Sequence, residues 1–442
     1  MKPSIDLLIE NGLIVTMDDA DRVIEDGAVA IREAEIIDVG TTSELHAKYA
    51  AKAEIDAGEH IVMPGLINAH SHLAMTLFRG FADDLPLDPF LARVWEAEGR
   101  FIHPDTVTIG TRLAFAEMIR GGTTMALDMY WFPEASADVA SETGFRLING
   151  PIFVDFDGPD GIPAAERAPR GREFFQRYAE NPFVLPCVLP HGTYTVSPDI
   201  LRQAWELVVE YEALFHTHAS ETAGEVSTVR ERYGMTPPQH LDHLGLLSPR
   251  TSLAHCVHLS DDDIRLIAER GAAAVHCPIS NLKMGSGIAP LPKMHAAGIP
   301  IVLGTDGAAT GNDLDMWKQM RLAAILHRGV NLDPTFNSAE NVVACATRQA
   351  AAALGIGDRF GSLAAGKYAD LILIDLGSEH LVPMYDVFSH LVYAVGREDV
   401  STVIIHGRLV MRQRELLTID EAETVARTRE LAAGYAEAMP LP

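Results

Sequence analysis

Two histidines one residue apart, His70 and His72, sit in the stretch LINAHSHLAM, directly after an apolar run over residues 61–67. The run reads as a short buried strand. In a strand, residues i and i+2 point the same way, so both imidazoles would project to one side and Ser71 to the other. Two imidazoles aimed at one point suit a metal ion. An isolated His-x-His is more often a surface pair, so the rest of the chain has to decide. It supplies His191 after FVLPCVLP, His216 and His218 in ALFHTHAS, Glu221 three residues beyond His218, His255 and His258 in TSLAHCVHL, and Asp306 in LGTDG. A lone buried histidine usually completes a core hydrogen bond. Ionisable groups at the ends of five apolar runs, all on one rim, are too costly to bury without a purpose. Neutral imidazoles with a carboxylate suit Zn2+ and leave a coordination position for water. Such a metal lowers the pKa of that water toward neutrality. A neighbouring carboxylate then takes the water proton, and a second acid, for which Glu221 is placed, protonates the leaving group.

The elements that must hold these groups follow from the same runs. HIVMPGLINAH, TTMALDMY, RLINGPIFVD, FVLPCVLPHG, ALFHTHAS, TSLAHCVHL, AAAVHCPIS and IPIVLGTDG are near-continuous apolar stretches. Segments of helical period lie between them, such as SPDILRQAWELVVEYEA and SDDDIRLIAERGA. Apolar strands alternating with helices mean a parallel sheet covered on both faces. Eight of them fit a (β/α)8 TIM-like barrel over residues 61–360, an α/β fold whose chemistry sits at the C-terminal ends of the strands. A doubly wound open sheet is the rival. No Gly-x-Gly-x-x-Gly follows the first strand, which weakens a dinucleotide-binding version of it. Asn337 and Glu340 suggest a capping box opening a late helix, AENVVACATRQAAAAL. Residues 1–60 and 361–442 have another texture, short alternating runs broken by Asn-Gly and Asp-Gly, as in IDLLIENGLIVTM and ADLILIDL. Two β-rich ends around a different middle predict a small β-sandwich built from both termini, with a C-terminal helix.

The 442 residues, 48% hydrophobic, suffice for a large core. A net charge of −26 argues against a nucleic-acid partner, because phosphate binding needs a basic surface. No apolar stretch is long enough to span a bilayer, and the first residues, MKPSIDLLIENG, lack a signal-peptide pattern. A cytoplasmic location, without a membrane partner, is the expectation. The cysteines, Cys187, Cys256, Cys277 and Cys345, show no CxxC spacing and read as reduced and buried.

The motifs PGLINAHSH, HTHASE, LAHCVHL, HCPISNLKMGSGIAP and LGTDGAAT together resemble the amidohydrolase superfamily. Within it the chain is similar to the branch of 5-methylthioadenosine/S-adenosylhomocysteine deaminases and s-triazine hydrolases. The likeness runs through GSLAAGKYADLILID, which looks like the family's return from barrel to sandwich. It implies one divalent metal per chain, zinc or alternatively Fe2+ or Mn2+, held by His70, His72, His218 and Asp306. Asp306 would also take a proton from the attacking water, Glu221 would protonate the ring nitrogen, and His255 would orient the hydroxide. His216, His258 and His276 would be structural. The barrel lysine that bridges two metals in dinuclear relatives is missing. Homo-oligomers are common among such barrels, and one is expected here.

For substrate, RGFADDLPLDPFLARVWEAEGRF looks like the family's specificity loop, in which Glu98 matches a carboxylate that accepts from ribose hydroxyls. His191 matches a substrate contact, and Met75, Trp95, Tyr130 and Trp131 would line a purine slot. After the third strand, where arginines would hold an amino-acid carboxylate, this chain has Asn149, Asp155 and Asp157, with Arg167, Arg170 and Arg172 only later. The expected partner is a small heterocycle, and the expected reaction is hydrolytic removal of the exocyclic amine of an adenosine-like purine. The alternative is an aminohydrolase or chlorohydrolase acting on a guanine-like base, a pterin or an s-triazine. A catalytically dead barrel serving as a scaffold is the reading from another class. Dechlorinating relatives tend to lose the acid/base carboxylates, and both Glu221 and Asp306 are present.

Overall fold

The computed structural model describes residues 2–85 and 87–439. Five strands open the chain: β1 (Ser4–Val15), β2 (Val23–Arg32), β3 (Glu35–Thr41), β4 (Ala50–Asp56) and β5 (His60–Pro64). Ten short strands follow: β6 (Leu66–Ser71), β7 (Thr123–Asp128), β8 (Arg146–Asn149), β9 (Ile152–Phe153), β10 (Val184–Pro186), β11 (Leu189–Pro190), β12 (Phe215–Ala219), β13 (Thr251–His255), β14 (Ala273–His276) and β15 (Ile301–Leu303). Four close the chain: β16 (Leu371–Asp375), β17 (Val400–Ile405), β18 (Arg408–Arg412) and β19 (Glu415–Leu416), before the helix Glu421–Ala438.

The ten middle strands occupy the eight positions of a TIM-like barrel, since β8 with β9 and β10 with β11 are each one position interrupted at Gly150–Pro151 or after Pro186. Prolines cannot donate to a ladder, which explains the interruptions. Strands β6, β7, β8 and β10 pair in parallel as one half, and β12 to β15 as the other. The halves meet at two seams. At one, His216 N–H donates to Val188 O at 3.0 Å and His218 N–H to His191 O at 3.1 Å. At the other, Asp306 N–H donates to His70 O at 3.0 Å, and Asn68 Nδ2 donates to Thr305 Oγ1 at 2.7 Å. Glycine makes this second seam possible. A Cβ on Gly304 would lie 2.8 Å from the His70 Cβ. Inward-facing Ile67, Ala69, Met125, Leu127, Val275 and Val302 fill the barrel.

The terminal strands form one nine-stranded sheet in the order β19-β18-β17-β16-β5-β1-β2-β3, with β4 also against β1. It curls so that Ala369 N–H reaches Ala34 O and Ile36 N–H reaches Lys367 O. The two layers of the expected sandwich are therefore parts of one sheet around a core that includes Ile9, Val29, Ile31, Leu371 and Ile404.

Two local expectations change. The apolar run 61–67 is two strands rather than one. β5 pairs β1 and β16, the chain breaks at Gly65, and β6 begins the barrel. A Cβ on Gly65 would meet Thr124 at 2.2 Å, so the crossover is too tight for a side chain. The late helix is capped by Ser338, whose hydroxyl accepts from Asn341 N–H, and not by Asn337, which has φ +54°. That helix also stops at Cys345 and restarts at Arg348. Among the described residues no helix is long and apolar enough to cross a membrane, and all four cysteines are free and buried.

Candidate active site

The alternation of β12 turns His216 and His218 inward while Phe215 and Ala219 pack outward on the helices. In β6 the register against β7 shifts between Asn68 and Ser71, which lets His70 reach the barrel mouth out of phase with Ile67 and Ala69, and His72 follows where a short 3-10 turn, Leu73–Phe78, begins. His255 ends β13 with φ +73°, and Asp306 follows β15 with φ +62°. These left-handed conformations are uncommon for residues with a Cβ and gather at functional sites. Here they turn each side chain back over the strand ends.

Each inward imidazole is oriented through its Nδ1. His72 Nδ1–H donates to Met129 O at 2.5 Å, and His218 Nδ1–H donates to His191 O at 2.6 Å. His70 Nδ1 bonds His216 Nε2 at 2.9 Å, and His216 Nδ1 bonds Ser252 Oγ at 2.7 Å. With Nδ1 engaged, Nε2 of all three faces one point, where His70 Nε2 has no hydrogen-bond partner. Asp306 Oδ1 faces the same point, and its Oδ2 accepts from Ser280 at 2.6 Å and Thr310 at 2.8 Å. The donor separations test whether a cation fits. His72 Nε2 lies 3.3 Å from His218 Nε2, and Asp306 Oδ1 lies 3.2 Å and 3.5 Å from the Nε2 atoms of His72 and His70. Donors at about 2.0–2.1 Å from one tetrahedral zinc are about 3.3–3.4 Å apart. The residues fit the ion, and the Nδ1 hydrogen bonds that orient each imidazole are of the kind such sites use.

Electrostatics agree. Burial holds His70 neutral, at about 4, and pushes His218 well below the usual range. Burial also opposes the charge on His72 and on Asp306. Their mutual contact outweighs it, holding His72 at about 9 and Asp306 well below the usual carboxylate range. A cation among these donors would displace the His72 proton.

On the open side stand Glu221 and His255. His255 Nε2 is 3.9 Å from Glu221 Oε2, and its Nδ1–H donates to Asn281 Oδ1 at 2.9 Å. Burial raises the Glu221 carboxyl, although the His255 ring beside it favours the anion. The pocket continues over His191, whose ring packs 4.7 Å from that of His218, to Met75, Tyr130, Trp131 and Glu98. Glu98 is 3% exposed. Its Oε2 accepts from Trp131 Nε1 at 3.1 Å, and the Tyr130 hydroxyl stands against the same carboxyl. Trp95 stands half-exposed at the mouth, its ring 5.8 Å from that of Phe156.

Other residues named from the sequence lie elsewhere. His276 is buried outside the barrel, its ring 6.0 Å from that of His327. Asn149 Nδ2 donates to Pro133 O, and Asp155 accepts from Ser197. Arg167 is buried behind Trp131 and donates to Asp160 and to Ile152 O. Arg170 and Arg172 pair with Glu173 and Glu210 on the surface.

Sequence reasoning missed three buried groups. Asp128 accepts from Leu73 N–H at 2.8 Å and pins the turn after His72; burial pushes it up to about 6. Asn281 orients His255. Glu225 accepts from the N–H groups of Ser220, at 3.0 Å, and Glu221, at 2.6 Å. The spacing Thr222-x-x-Glu225 is a capping-box signature that could have flagged it. Thr222 does accept from Glu225 N–H, but the carboxylate reaches past the cap to the two residues before it.

The amidohydrolase family profile matches residues 61–410. The chain belongs to the amidohydrolase family. Over 428 residues this amidohydrolase is 44% identical to a 5-methylthioadenosine/S-adenosylhomocysteine deaminase of Syntrophobacter fumaroxidans, covering 97% of this chain and 98% of the relative. The crystal structure of an adenosine deaminase from Xanthomonas campestris with bound zinc is 38% identical, with a TM-score of 0.96, covering 99% of this chain and 100% of that one. Atrazine chlorohydrolase from Arthrobacter aurescens, complexed with zinc, is 26% identical with a TM-score of 0.89, over 96% of this chain and 100% of that one. This amidohydrolase thus shares its architecture with enzymes of two chemistries, deamination and dechlorination.

Proposed function

We propose that the protein is a zinc-dependent aminohydrolase that removes the exocyclic amine of an adenosine-like purine as ammonia. One observation carries the reading. Glu221, a carboxyl raised by burial, faces the donors of His70, His72, His218 and Asp306 across a pocket whose far wall holds a buried carboxyl, Glu98.

His70, His72, His218 and Asp306 would hold the metal, which when bound would acidify and orient the attacking water. Asp306 takes a proton from that water, its carboxylate kept in place by Ser280 and Thr310. His255, with Nδ1–H on Asn281, presents Nε2 to the same water. Glu221 delivers a proton to the ring nitrogen beside the attacked carbon; the proton held by Asp306 then passes to the amine, which leaves as ammonia as the C–N bond breaks, and the new hydroxyl returns a proton to Glu221. Burial, which raises the Glu221 pKa, favours the protonated form that the donation needs. Glu98 accepts from the ribose hydroxyls, while Trp95, Trp131 and Phe156 cover the base and the 5′ substituent.

The substrate's 5′ end is neutral. None of the described residues lining the pocket is a lysine or arginine, and Arg167, Arg170 and Arg172 are already paired. A substrate carboxylate would be desolvated there without a partner. Steady-state ammonia release from adenosine, 5′-methylthioadenosine, S-adenosylhomocysteine, guanine and an s-triazine tests both parts. The first two should give the highest kcat/KM. A higher value for S-adenosylhomocysteine would overturn the neutral 5′ end, and turnover of free heterocycles alone would overturn the nucleoside reading.

A further inference from the structure

Glu221 is not held by its own strand. It follows Ser220, which sits at φ +55°, a left-handed conformation that a side-chain-bearing residue keeps only when its surroundings enforce it. The enforcement is visible on both sides of the Ser220–Glu221 segment. Glu225, a buried carboxylate, accepts both N–H groups. Ser220 O accepts two more, from Val257 N–H at 3.0 Å and His258 N–H at 2.8 Å, in the loop after β13. The chain of bonds continues. His258 Nε2–H donates to Ser286 O at 2.7 Å, in the loop after β14. Ser286 Oγ then lies 3.5 Å from Glu221 Oε1. The Ser286 loop is also tied to the group that orients His255, because Ser286 N–H donates to Asn281 O at 2.9 Å. Three loops from three successive strands thus form a closed circuit that begins and ends on Glu221.

We propose that Glu225 and His258 are positioning residues for the Glu221 carboxylate, acting through the Ser220–Glu221 segment and the Ser286 loop. This rests on the reading of Glu221 as proton donor. Neither residue reaches the substrate. Glu225 fixes where the Glu221 backbone leaves the barrel, and His258 fixes the hydroxyl against which the carboxylate rests. The sequence pattern alone places His258 with the structural histidines, and the circuit gives its ring a defined task.

The test uses the full-length, zinc-loaded protein with whichever of adenosine or 5′-methylthioadenosine the wild type turns over. Displacing a reacting group by an ångström can cost about 100-fold, so Glu225→Gln and His258→Phe should lower kcat by about 10- to 100-fold. KM should stay within about threefold and zinc content should be unchanged, as for loss of a transition-state interaction only. His258→Gln, which keeps an N–H donor, should recover most of the His258→Phe loss. In a Glu221→Gln background, neither Glu225→Gln nor His258→Phe should lower the residual rate further, because their effect passes through the missing acid. Losses that multiply in that background, or equal defects in His258→Phe and His258→Gln, overturn the proposal. Amide hydrogen exchange gives a readout independent of substrate. Glu225→Gln should speed exchange at Ser220 and Glu221, and unchanged rates overturn the clamp. If the wild type turns over neither nucleoside, the functional reading fails, while the exchange measurement still decides the clamp.

Discussion

A single proton is the currency at Glu221. Its carboxyl is raised by burial and faces His255. Glu221→Gln removes the proton without changing shape. Turnover should fall by about 100- to 10,000-fold, with zinc retained by elemental analysis; near-full activity would remove Glu221 from the chemistry. Glu98 works on binding instead. Hydrogen bonds to charged groups contribute about 1.5–3 kcal/mol, so Glu98→Ala should cut kcat/KM for adenosine by about 10- to 100-fold. The same change should barely affect 2′,3′-dideoxyadenosine, which already lacks the hydroxyls. The convergence of His70 with His72 was legible because strand period is two, and His218 with Glu221 because both lie within four residues. Asn281 and Asp128 were not legible. Their roles are bonds to His255 and Leu73, across 26 and 55 residues, and nothing local marks either residue.

Between elements, the clearest joint is Arg146, at the start of β8. Its guanidinium is fully buried and bonds Asp370, beside β16, through Nε at 2.9 Å and Nη2 at 3.2 Å. Nη2 also donates to His406 Nδ1 at 2.9 Å, after β17, and the cation lies 4.6 Å from the Tyr368 ring. Barrel and terminal sheet are joined here by one charge. Asp370→Asn leaves that charge uncompensated and should lower stability by about 3–5 kcal/mol in urea unfolding. The joint is also acid-sensitive. Burial, then the Arg146 charge, holds His406 at about 4 against its ordinary 6.5. As pH falls the unfolded chain takes that proton first. The His406 contribution is therefore intact above 6.5 and is lost as pH falls toward about 4, which urea titrations across that window would show; His406→Asn should flatten the dependence. The barrel strands were legible from their apolar runs. The split of β8 from β9 and of β10 from β11 was hidden because proline and glycine interrupt pairing without interrupting hydrophobicity. The capping shift from Asn337 to Ser338 is a matter of one residue's φ, which composition does not encode.

At the scale of the whole molecule, sequence texture identified both ends as one β-rich unit, while the single-residue crossover at Gly65 could not be seen in a run that stays apolar throughout. The proposed metal donors are divided between the two halves of the barrel, His70 and His72 in the first and His218 and Asp306 in the second. Since these residues converge only when the chain is folded, chelating a zinc held there should lower thermal stability. At free zinc a thousandfold above Kd the linkage is about 4 kcal/mol, readable as a melting temperature that rises with added zinc; a melting curve indifferent to chelator would contradict the assigned donors. The two seams carry a further meaning. Among the bonds that cross them, one at each seam is made by the backbone of a proposed metal donor, Asp306 N–H to His70 O and His218 N–H to His191 O. The ring therefore has two joints, and an ion held by these donors would sit where both open. Such an ion works as a clasp as well as a reagent: removing it should let the halves breathe, and those two amides should be among the first in the barrel wall to exchange with solvent.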